Sequence, residues 1–253
     1  MTPDEYLFAI LARERVDASP TSPILAAAKK ALMPVLVPWG GRYLRSVEPS
    51  GSFAKGTANR SGTDIDLFLS VSPEHPEPLK VLYESLYGAL SWAGYEARRQ
   101  DVSIGLRVDG TDIDLVPGKQ QTVLTTDHSL YRRKADTWTK TNVLSHISHV
   151  RNGGRQAETR VMKLWRNQAR LQFPSFYLEL AVIEALRGSL ALSLSLRVGE
   201  VYRYLAGPFA SARFVDPANT NNVISNDLTV VEKNAIRSAA SRALQTQWGD
   251  LVR

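Results

Sequence analysis

Leu7, Ile10 and Leu11 recur at helical spacing behind Pro3-Asp4-Glu5, where acidic residues suit the positive end of a helix dipole, so the chain is expected to open on a helix. A second helix is predicted from Thr21-Ser22-Pro23, a hydroxyl cap with proline in the first turn, toward Leu36. Pro34 should kink it or end it early. Gly40-Gly41 breaks the chain before a short strand over 43–47. A Gly/Ser-rich loop, Ser50 to Thr63, leads into the alternating strand Asp64 to Val71. Pro73, Pro76 and Pro78 mark a linker into a helix over 79–92. Two further strands, 102–108 and 111–116, are joined by Asp109-Gly110, a hairpin turn signal. From about Tyr131 the pattern reads as helical, with helices near 143–150, 155–171, 176–188, 197–206 and 229–247. This order predicts an α+β fold: a mixed sheet flanked by helices over 1–125, then an all-helical domain over 126–253.

Composition narrows the classes. With 253 residues, 43% hydrophobic and 22% charged, the chain has material for a real core. No apolar run approaches the ~18 residues of a membrane span, and the best stretch, Ala31 to Trp39, is broken by Pro34 and Pro38. Asp4 and Glu5 stand where a secretory signal would be basic, which predicts a cytoplasmic protein without a membrane partner. The absence of cysteine excludes disulfides, thiolate zinc sites and cysteine nucleophiles. A net charge of +6 favours a polyanionic partner, nucleotide or nucleic acid.

One stretch stands above this background: Gly51-Ser52-Phe53-Ala54-Lys55-Gly56-Thr57, then Asn59 to Thr63, then Asp64-Ile65-Asp66-Leu67. Carboxylates at i and i+2 on a strand share a face, and their repulsion is relieved when a cation such as Mg²⁺ lies between them. Gly51-Ser52 offers a backbone able to approach a phosphate closely. Asp112 and Asp114 again put two acids on one strand face, near the first pair if the strands assemble. Three convergent carboxylates can hold two metal ions about 3.5–4 Å apart for phosphoryl transfer. Singly, an Asp-x-Asp pair is usually two solvated acids and a Gly-Ser a turn; the combination is what points to chemistry. Elsewhere the reading is plainer. His146, His149 and His128 suggest capping or core packing rather than a metal site, and Arg132-Arg133-Lys134 with Lys140 and Trp138 is a basic loop or a phosphate guide. Lys163 falls with Arg160, Asn167 and Arg170 on the polar side of its helix, opposite Val161, Leu164 and Trp165. One of Phe176 and Tyr177 should be core.

Gly51-Ser52 followed by Asp64-Ile65-Asp66 resembles the signature of the DNA polymerase β-like nucleotidyltransferase superfamily. The spelling is most similar to two branches: the cyclic-oligonucleotide synthases (relatives of cGAS and of bacterial anti-phage synthases, with the oligoadenylate synthetases nearby), and the archaeal-type CCA-adding enzymes. Asp114-Leu115-Val116-Pro117 resembles their third-carboxylate strand. Val161 to Trp165 resembles the helix whose lysine, here Lys163, contacts the triphosphate. Ser175-Phe176-Tyr177 resembles a segment whose serine touches phosphate and whose aromatic stacks on the base, and Asp216-Pro217-Ala218-Asn219 with Asn221-Asn222 resembles a later family element. The resemblance implies a template-independent nucleotidyltransferase using two Mg²⁺ ions, with Mn²⁺ as substitute, on Asp64, Asp66 and Asp114, and binding nucleoside triphosphates through Gly51, Ser52, Lys163, Ser175, Phe176 and Tyr177. The expected product is a cyclic or linear oligonucleotide signal; the alternatives are addition to an RNA or tRNA 3′ end, and an inactive nucleotide-binding regulator.

Overall fold

The computed structural model describes residues 1–19, 21–62 and 64–253. Helix α1 (Pro3–Arg13) has a full capping box: Thr2 Oγ1 accepts from the Glu5 amide at 3.2 Å and Glu5 Oε2 accepts from the Thr2 amide at 2.7 Å. Helix α2 (Pro23–Gly40) does not stop at Pro34. Pro34 and Pro38 each remove an amide donor, but Leu25, Ala28, Leu32 and Leu36 form a buried stripe at helical spacing, and that packing outweighs the lost bonds. After β1 (Leu44–Pro49), the stretch expected as loop coils at once into the short helix α3 (Gly51–Lys55), anchored by fully buried Phe53. Then come β2 (Ile65–Val71), α4 (Leu79–Trp92), β3 (Arg98–Arg99), β4 (Ile104–Val108), β5 (Thr111–Gln120), β6 (His128–Arg132) and β7 (Thr137–Thr141).

These strands form one mixed sheet in the order β1-β2-β5-β4-β3, with β6 pairing both β5 and β7. The β2–β5 pairing is parallel and the others are antiparallel. Asp109 at φ +47° and Gly110 at φ +80° make the tight β4–β5 turn. Strand β7 corrects the reading of helix from Tyr131 onward. Thr137, Thr139 and Thr141 place a β-branched residue at every second position, and β7 pairs along its length with β6.

The remaining elements are α5 (Val143–Gly153), α6 (Gln156–Gln168), α7 (Ser175–Ala185), α8 (Leu194–Ala206), α9 (Val230–Ala243) and α10 (Trp248–Leu251). The chain divides into two compact units: a sheet unit of Asp17–Ala54 and Thr63–Ile147, and a helical unit of Met1–Val16, Lys55–Gly62 and Ser148–Arg253. The helical unit has its own core, in which Leu7, Met162, Trp165, Tyr177, Tyr202 and Phe209 pack together. No described helix is long and apolar enough to cross a membrane.

Candidate active site

Parallel pairing of β2 with β5 puts Asp66 opposite Asp114 and Ile65 opposite Ile113. Paired residues share a face and neighbours along a strand alternate, so Asp66 and Asp114 lie on one side of the sheet. Asp112 falls on that side by the same alternation, and Asp64 precedes the strand by one residue. Ile65, Leu67, Ile113 and Leu115 are fully buried on the other side. The apolar half of each strand therefore fixes the acids in position.

Their electrostatics are those of a crowded carboxylate group. Asp64 is exposed, yet the protein packed around its carboxyl raises its pKa, and Asp112 adds to the rise. Burial raises Asp114 as well, with Asp64 contributing by like-charge repulsion. Arg98, 3.7 Å from Asp112, opposes both shifts weakly. Gln100 Nε2 donates to Asp114 Oδ1 at 2.9 Å. The Ser50 amide donates to the Asp66 carbonyl at 2.7 Å, drawing the start of α3 against β2. Gly51 follows at φ +54°, and a Cβ there would lie 1.6 Å from Asp66 Oδ2. Only glycine fits, on conformational and steric grounds together. Among the described residues no group of three or more His, Asp or Glu side chains stands close enough to hold a metal ion. The donor chemistry nonetheless suits a hard divalent cation: carboxylate oxygens on one face that hold their protons more tightly, first through burial and second through the neighbouring acids. Thr63 of the signature lies outside the described residues.

The helical unit holds the other expected residues, and here the structure differs from the sequence reading. Lys163 is not on a solvated face but only 5% exposed. Its Nζ donates to Glu179 Oε1 at 2.7 Å and to Thr57 Oγ1 at 2.9 Å. Lys55 Nζ donates to Glu179 Oε2 at 2.9 Å, and Thr57 Oγ1 donates to Glu179 Oε1 at 2.7 Å. Burial alone would raise Glu179, but the two ammoniums and the hydroxyl hold it at about 2. Burial works in the opposite sense on Lys163, lowering its pKa. With three donors converging on one carboxylate, the ionised pair is the state the geometry supports. Lys55 and Thr57 sit in the Gly-Ser stretch, and Glu179 follows Ser175-Phe176-Tyr177 on α7. That they meet was not visible, since 122 residues separate Thr57 from Glu179.

Tyr177 cannot serve as a base platform. It is fully buried, with Phe173, Phe209 and Phe214 ring centroids 5.1–5.4 Å away. Phe176 is half-buried and carries Lys55 Nζ 4.3 Å from its ring centre. Ser175 opens α7, its hydroxyl accepting from Arg166 Nη1 at 2.9 Å. Asp216 closes a local turn, accepting from the Ala218 amide at 2.8 Å and from Asn222 Nδ2 at 3.1 Å. His128 is a core residue bonded to Ser70 Oγ and the Thr126 carbonyl, both at 2.8 Å. In the basic loop, Lys140 pairs with Asp127 at 2.7 Å and Arg132 with Asp101 at 3.7 Å.

This mixed sheet, with acids paired across two parallel strands behind a Gly-Ser turn, is a fold shared with solved CD-NTase structures. Among curated proteins it is 26% identical over 161 residues to the cyclic AMP-AMP-AMP synthase of Escherichia coli (strain MS 115-1), a match covering 58% of this chain and 50% of that protein. The match thus spans about half the length of that curated relative. Among solved structures, E. coli MS115-1 CdnC in complex with HORMA-deltaN superposes with a TM-score of 0.74 at 20% identity, covering 96% of this chain and 90% of that one. The Bradyrhizobium diazoefficiens CD-NTase CdnG with GTP gives 0.77 at 14% identity, covering 96% and 91%. At these identities the likeness is one of fold. No family model matches the chain.

Proposed function

We propose that the protein is a metal-dependent, template-independent nucleotidyltransferase that joins nucleoside monophosphate units from nucleoside triphosphates into a cyclic or linear oligonucleotide signal of the anti-phage type. One observation carries this reading: Asp66 and Asp114 are paired in register across β2 and β5, with Gly51 against the Asp66 carboxylate. The relatives support it, since one is a cyclic AMP-AMP-AMP synthase and others were solved with ATP or GTP.

Asp64, Asp66 and Asp114 would hold Mg²⁺ or Mn²⁺, which supplies charge neutralisation on the phosphates. Asp114 takes the proton of the acceptor hydroxyl. That oxygen bonds to the α-phosphorus while the bond to the β-phosphate oxygen breaks and pyrophosphate leaves. In the sheet unit, Ser52 beside the acids offers a hydroxyl donor to phosphate. No covalent nucleophile is needed, because the catalysis is positioning and charge stabilisation.

The test incubates the purified protein with Mg²⁺ and each labelled NTP and dNTP, with and without tRNA, and resolves products by size and phosphatase resistance. Small phosphatase-resistant products without tRNA are expected for a cyclic synthase, and a phosphatase-sensitive ladder for a linear one. Label found only on tRNA would replace this reading with terminal transfer. NTP binding without turnover would replace it with a nucleotide-binding regulator.

A further inference from the structure

The β3–β4 turn, which no motif covers, is built around one glutamine. Gln100 follows β3 directly, and its amide donates to the Ser103 carbonyl at 3.0 Å, closing the turn. Its carbonyl is held by Tyr83 Oη and by Arg133 Nε, each donating at 3.0 Å. The single Tyr83 Oη proton is shared with the Ser103 carbonyl at 2.9 Å, so a buried α4 tyrosine lies against both ends of the turn. The side chain is held as firmly as the backbone. Ser103 Oγ donates to Gln100 Oε1 at 2.7 Å, and Gln100 Nε2 donates to Asp114 Oδ1 at 2.9 Å. An ionised carboxylate only accepts, so the amide nitrogen must face it, and the serine holds the amide in that orientation.

The space for this bond comes from a glycine. Gly105 on β4 is the cross-strand partner of Asp114, so a side chain there would project on the same face. A Cβ at Gly105 would lie 2.6 Å from Gln100 Nε2 and 3.0 Å from Asp114 Oδ1. Any larger residue would wedge between donor and acceptor.

We propose that Gln100 is the positioning residue for the Asp114 carboxylate, set by Ser103 and Tyr83 and admitted by Gly105. The bond fixes rotation about the Asp114 Cβ–Cγ bond, and with it the place where the second oxygen is presented. Partners of this kind that orient a ligating carboxylate are worth about 10–100-fold in activity or metal affinity. The inference rests on the nucleotidyltransferase reading of Asp114.

The test uses the intact chain with two independent lesions, Gln100→Leu and Gly105→Ala, beside Asp114→Asn and wild type. It reads kcat and KM for NTP, Mn²⁺ affinity by electron paramagnetic resonance of the free ion, and the urea midpoint. Expected are a fall in kcat of about 10–100-fold with KM within about twofold, and Mn²⁺ binding weakened about tenfold. The urea midpoint should stay near wild type. Gln100→Glu, which sets a second carboxylate against Asp114, should fall further. Gln100→Leu matching wild type in kcat and Mn²⁺ affinity while Asp114→Asn is inactive would overturn the positioning role and leave the enzyme assignment standing. Full activity in Asp114→Asn would overturn both. If wild type turns over no NTP, the Mn²⁺ titration decides alone, and equal affinities refute the proposal. If Gly105→Ala does not fold, Gln100→Leu carries the same decision.

Discussion

The acids and the residues beside them were chosen against local stability. Asp64 and Asp114 both hold their protons more tightly in the fold than as free carboxylates, so ionising them works against folding. Asp64→Ala should therefore abolish nucleotide transfer, by on the order of 10³-fold, while the urea midpoint stays level or rises. Wild-type turnover in that variant would refute the site. Gly51→Ala should lose transfer to a similar extent with Asp66 untouched, because its methyl would occupy the space of Asp66 Oδ2. Glu179 presents the opposite case. Its pKa falls from 4.5 to about 2, so its ionisation stabilises the fold above pH 4.5, and that stability is lost as pH drops toward 2. Acid titration of the urea midpoint should show this loss in wild type and not in Glu179→Gln. At pH 7 the variant should be less stable by about 3 kcal/mol, since two buried ammoniums lose their counter-charge.

At the scale of elements, the acids depend on strand register. The β4–β5 turn sets which β4 residue faces Asp114, and both its central residues have positive φ. A Cβ at Gly110 would meet nothing within 4 Å, so only backbone strain opposes one. Gly110→Ala should cost about 1–2 kcal/mol in urea unfolding, with the register retained. A change well outside that range would mean the turn does more than connect. Elements that follow local rules were legible in the sequence: α1 behind Pro3-Asp4-Glu5, α4 over Leu79–Trp92, and the Asp109-Gly110 hairpin. Those that depend on distant partners were not. Helix α2 persists through two prolines because its apolar stripe is buried, and β7 is a strand because β6 lies beside it.

For the whole molecule, nucleotide and metal should act together on stability. ATP or GTP with Mg²⁺ at about a hundredfold over the dissociation constant should raise unfolding free energy by about 2.7 kcal/mol, seen as a rise in Tm. EDTA should remove the part owed to the metal and stop transfer, and Mg²⁺ should restore both; a nucleotide effect untouched by EDTA would speak against metal-linked binding. The sequence by itself determined the chemical alphabet of the site, because Gly-Ser and alternating Asp residues on an apolar strand are local patterns that write their own geometry. It also determined the α+β class. Only the tertiary structure decided that Lys163 is paired with Glu179, that Tyr177 belongs to an aromatic core, and that Gln100 reaches Asp114. Burial and partnership are set by residues far apart in the chain, and no local period encodes which buried charge will find which counter-charge.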